Sequence, residues 1–111
     1  MALRHAESGE RLDVRPFEQQ ISTQKTTALF KSVDLEVIRL VLLAGKALAP
    51  HKVPGEITIQ CLEGRLVVQA DGEQNALDAG ELLFLAGDVV HSVLAVSDSS
   101  ALVTIALKHA P

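Results

Sequence analysis

Residues 45–64 read GKALAPHKVPGEITIQCLEG, and residues 80–91 read GELLFLAGDVVH. Each stretch carries one histidine, His51 or His91, next to a short apolar segment bounded by glycine turns. The two resemble each other in order: glycine, strand, histidine, strand. An echo of this kind predicts an all-β barrel built from two hairpin pairs in a double Greek key.

The rest of the chain keeps the same rhythm. Apolar runs occupy 35–44, 57–62, 66–70, 82–85, 89–96 and 101–107. They are short and rich in Val and Ile, which suits strands better than helices. Turn residues separate them: Pro54-Gly55, Glu63-Gly64, Asp71-Gly72, Ala79-Gly80, Gly87-Asp88 and the polar stretch 97–100. Gly45, Gly64 and Gly80 sit where a tight turn or a positive φ is needed. One helical turn is predicted over 16–20, following Pro16. Residues 1–34 read as an arm or edge strands packing on a barrel formed by 35–111, the whole making one domain.

Composition narrows the function. The chain has 111 residues, is 48% apolar and contains three phenylalanines but no Trp or Tyr, so its core must be aliphatic. A net charge of −4 without a basic run gives no electrostatic footprint for nucleic acid. No apolar run approaches the ~20 residues of a membrane span, and residues 1–10 are too polar for a signal peptide. A single cysteine, Cys61, excludes an internal disulfide and suits a reducing compartment. A cytoplasmic protein is expected. Both 82–85 and 101–107 are apolar on both strand faces, more than one barrel core can bury. This predicts a homodimer, or an outer face covered by the N-terminal arm.

These motifs resemble those of the cupins, small single-domain RmlC-like β-barrels of the cupin 2 type. The first cupin motif runs glycine, five residues, His-x-His, three or four residues, glutamate, six residues, glycine. Gly45, His51 and Gly64 match it, while Val53 and Ile57 stand where the second histidine and the glutamate belong. In the second motif Gly80 and His91 match, and Ala86, Asp88 and Ala95 replace proline, glycine and asparagine. The resemblance covers about 35–107 and implies a double-stranded, jelly-roll type β-barrel. It also implies a divalent-metal site of which only His51 and His91 remain, so Fe, Mn, Ni or Zn is expected at low occupancy at most. The stretch 51–64 further resembles a subgroup of short bacterial cupins, mostly uncharacterised.

Strand parity sets His51 with Val53, and His91 with Val93, on inward faces. The expected pocket therefore holds His51, His91, Val53, Ile57, Cys61, Phe84 and Val93, with Leu40 in its apolar wall. Cys61 shares parity with Ile57 and Ile59. Its apolar flanks should raise the thiol pKa and leave it a buried small hydrophobe. Glu56 falls one residue from the lost ligand position and should face out, unless a bulge at Pro54-Gly55 turns it inward. Asp88 suits a turn, Lys52 should face solvent, and His5 and His109 are bystanders. Three functions stay open: a small-molecule pocket, as in a sensor or carrier; a metal-dependent enzyme such as a dioxygenase, isomerase or decarboxylase; and a sensor and dimerisation module like those attached to transcription regulators. The first is favoured. No ligand is named by the sequence.

Overall fold

The computed structural model describes residues 5–108; His109 lies outside them. Among the described residues the strands are β1 (Thr27–Lys31), β2 (Leu35–Leu42), β3 (Ala47–His51), β4 (Ile57–Glu63), β5 (Arg65–Ala70), β6 (Glu73–Asp78), β7 (Leu82–Leu85), β8 (His91–Ala95) and β9 (Ser99–Ala106). They form two sheets, ordered β1-β2-β9-β4-β7 and β3-β8-β5-β6, in which every pair is antiparallel. The fold is the all-β jelly-roll barrel that the strand rhythm predicts. No helix among the described residues is long and apolar enough to cross a membrane.

Alternation explains the core. Along β4, Ile57, Ile59 and Cys61 point inward, and so do Leu66, Val68 and Ala70 on β5. With Leu40, Leu42, Leu77, Leu85, Val93, Ala95 and Ala101 they form one cluster drawn from both sheets. No aromatic ring takes part. β-branched and Leu side chains suffice because each strand contributes only two or three inward positions.

Three strands escape the apolar-run reading: β1, β3 and β6. In β6 only Leu77 is buried, and Glu73, Gln74, Ala76 and Asp78 are exposed. β6 is an edge strand, hydrogen-bonded on one side by β5, so it needs only one inward anchor. The helical turn does form, as a 3-10 helix shifted to Glu18–Thr23.

The arm covers part of the five-stranded sheet's outer face. Its anchor is Glu63, at the end of β4. The Glu63 carboxylate accepts hydrogen bonds from the N–H groups of Phe17 and Glu18, both at 3.0 Å, and from the Ser100 hydroxyl. Phe17 is right-handed at φ −74° and Glu18 left-handed at φ 58°. Successive residues of opposite hand point their N–H groups into one concavity that suits an anion. Buried Arg39 adds a charge at 3.4 Å, donates to the Arg15 carbonyl at 2.8 Å and stacks over the Phe17 ring at 4.0 Å. Burial alone pushes the Glu63 carboxyl upward. The hydrogen bonds and the Arg39 charge outweigh it, so its pKa lies below that of an ordinary glutamate. Of residues 101–107, read as apolar on both faces, Ala101 is buried and 102–107 are half-buried; β9 sits mid-sheet between β2 and β4.

Candidate functional site

The register stacks the barrel interior into rows. In the five-stranded sheet, Ile57 pairs with Ile105 and Leu85, Ile59 with Val103 and Leu83, and Cys61 with Ala101. In the four-stranded sheet, His91 pairs with His51 and Ala70, and Val93 with Leu48 and Val68. The rows holding the histidines and Val93 enclose, with the Ile57 and Ile59 rows, a cavity of about 260 Å³. Its walls are Ile38, Leu40, Leu48, Ile57, Ile59, Val93, Val103 and Ile105, with Thr26, His51 and His91.

His51 reaches this cavity through an irregularity. Leu48 pairs with Val93, yet His51, three residues on, pairs with His91, two residues back. One extra residue at Ala49-Pro50 thus lets Leu48 and His51 share a face despite their opposite parity. Pro50 suits this place, having no N–H to give an edge strand. The bulge lies here and not at Pro54-Gly55, and Glu56 is exposed.

The two imidazole rings lie 4.4 Å apart between centroids, tilted by 52°. His91 is buried and His51 exposed, so the pair spans the cavity mouth. Each ring is held by the backbone carbonyl two residues before it. His51 Nδ1 bonds the Ala49 carbonyl at 3.1 Å and His91 Nδ1 the Val89 carbonyl at 3.0 Å. A carbonyl only accepts, so both Nδ1 atoms carry the proton. In the neutral rings Nε2 is left as a lone-pair acceptor.

The loops carrying the two motifs are stitched together. Asp88 N–H donates to the Val53 carbonyl at 2.8 Å, and Gly87 packs so closely that an added Cβ would lie 2.2 Å from the Pro54 oxygen. Asp88 itself has φ 62°. A short polar side chain tolerates the left-handed conformation, so Asp88 makes the turn where the cupin motif has glycine.

Three expected pocket residues sit elsewhere. Phe84 is 59% exposed, because β7 turns Leu83 and Leu85 inward opposite Ile59 and Ile57, leaving Leu82 and Phe84 outside. Cys61 is fully buried but belongs to the packed row beyond the cavity, beside Ala101. Its Sγ lies 3.4 Å from the Glu63 carbonyl, and burial pushes its pKa up. Val53 is half-buried against the core and does not line the cavity. Thr26, Ile38, Leu48, Ile59, Val103 and Ile105 were not singled out. Parity within each run was readable, but which runs face each other across the cavity follows from the pairing order.

The donor set does not fit a resident metal. His51 and His91 are two ligands, short of the three usual for a catalytic site. Val53 and Ile57 offer only hydrocarbon, and no group of three or more His, Cys, Asp or Glu among the described residues converges to hold an ion.

Residues 39–107 match the model of the cupin domain. None of the curated protein sequences matches the chain. Similar crystal structures include a conserved protein of unknown function from Streptococcus pyogenes, 19% identical, TM-score 0.75, with 99% of this chain and 100% of that one covered. An RmlC-like cupin protein from Desulfovibrio desulfuricans is 28% identical, with TM-score 0.69 and 92% and 97% covered. A predicted oxalate decarboxylase from Thermotoga maritima is 24% identical, with TM-score 0.68 and 75% and 79% covered.

Proposed function

The chain belongs to the cupin family, and from that premise we propose that it binds a small molecule in its barrel without a resident metal. One observation carries this reading: an aliphatic cavity of about 260 Å³ whose mouth holds a fixed imidazole pair. Apolar walls with a few placed polar groups are the usual make-up of a ligand site. Replacing His51 and His91 by alanine is expected to change ligand binding and leave folding nearly intact, since His51 is exposed and neither Nδ1 ties distant elements together.

A metal-dependent enzyme is the second reading. It is favoured by the Nδ1–carbonyl bonds, which are how metal-ligating histidines are commonly oriented. Metal analysis of protein purified without chelator or affinity tag separates the two. The expected result is well below one divalent ion per chain. About one Fe, Mn, Ni or Zn per chain, lost in the double alanine variant, would put the enzyme reading first. The proposal also includes a cytoplasmic homodimer, in which the exposed outer face of β7 meets a second copy.

A further inference from the structure

We infer that the ligand is a small neutral molecule presenting a hydroxyl donor, an alcohol or phenol, and not a carboxylate or phosphate. This rests on the pocket reading above and goes on to the ligand's chemical class. The cavity's polar inventory is short. Thr26 Oγ1 donates to the Val41 carbonyl at 3.3 Å and accepts the Val41 N–H at 2.9 Å, so its one proton is already used. Both imidazole Nδ1–H groups are likewise held by the Ala49 and Val89 carbonyls. Every other lining side chain is aliphatic. What remains is the two Nε2 atoms, acceptors in the tautomer that the Nδ1 bonds select, with no Lys or Arg in the lining.

Such a site complements a ligand that donates. An O–H can bond an Nε2 while its hydrocarbon body fills the Ile57, Ile59, Val103 and Ile105 side. An anion would enter with no donor to receive it, and burying an unpaired charge is strongly unfavourable. Size agrees: an apolar cavity of ~150 Å³ takes up benzene, so about 260 Å³ holds one ring with small substituents.

Three probes that share one tolyl ring test this: 4-methylphenol, toluene and 4-methylbenzoate. They are titrated near pH 8 into the full chain and into His51→Leu, with binding read from amide NMR shifts. The expected result is that the ratio of 4-methylphenol to toluene affinity falls roughly 3–10-fold in His51→Leu, the worth of one neutral hydrogen bond. 4-Methylbenzoate should bind at least about tenfold more weakly than 4-methylphenol. Toluene binding with an unchanged ratio in the variant would overturn the hydroxyl class while the pocket reading stands. Tighter binding of 4-methylbenzoate would do the same. Shifts that avoid the cavity residues for all three probes would overturn the pocket reading itself. Long-range ¹H–¹⁵N spectra of the native histidines give a check without any variant. Protonated Nδ1 on both rings supports the inference, and protonated Nε2 on either overturns it.

Discussion

Single residues carry more of this fold than their size suggests. Gly64 has φ 79°, and an added Cβ would lie 2.3 Å from the Asp98 carbonyl and 2.4 Å from Ser99 Oγ. Gly64→Ala therefore meets both a disfavoured conformation and backbone that has no room to move. A loss of at least ~1–3 kcal/mol is expected, read as a lower midpoint in urea. Cys61 should behave in the opposite way, as an inert group. It is fully buried and its thiol pKa is raised, and a thiolate is what reacts. Labelling by a thiol reagent should be slow in the native protein and fast in denaturant. Fast native labelling would mean that the packed row around Ala101 opens readily.

At the scale of elements, the arm hangs on one carboxylate. Glu63→Gln removes the charge that Phe17 N–H, Glu18 N–H, Ser100 and Arg39 converge on. Hydrogen bonds to a charged group are worth more than neutral ones, so amide exchange at Phe17 and Glu18 should quicken roughly tenfold or more in the variant. Acid should act alike. The folded pKa of Glu63 is depressed, so its contribution is complete above the unfolded value of ~4.3 and is lost as pH falls through the lower, folded one. An acid-side loss of arm protection that persists unchanged in Glu63→Gln would contradict this account.

Elements also show what could be read from the chain. β2, β4, β5, β7, β8 and β9 were legible because each combines an apolar run with turn residues at its ends. β6 was not, since an edge strand with one buried leucine leaves no run to see. Phe84 was misplaced for a related reason: all four residues of β7 are apolar, so alternation gives no phase, and only its pairing with Thr58 shows that it faces out. The histidine pair was legible through the motif spacing. The bulge that makes the pair possible was not, because nothing in Ala49-Pro50 alone tells a bulge from a turn.

Across the whole molecule, one pair of exposed apolar side chains lies on a sheet edge. Leu82 and Phe84 are 61% and 59% exposed side by side on edge strand β7. The proposed homodimer would cover them, and a standard interface buries about 1,600 Å² in total. Sedimentation at micromolar concentration should give a dimer, and Phe84→Glu should shift it toward monomer while the barrel stays folded. A monomeric native chain would refute the dimer and leave β7 as an exposed edge.

A barrel whose core is built without Trp or Tyr is also nearly dark to near-ultraviolet light. With neither Trp nor Tyr, its weak absorption there comes from three phenylalanines. Unfolding cannot be followed by tryptophan emission, which makes circular dichroism or NMR the natural probe of stability. The same darkness turns a phenolic guest into the dominant chromophore of the complex. Its own emission, changed in yield once its hydroxyl bonds an imidazole, would report occupancy directly against an almost blank background.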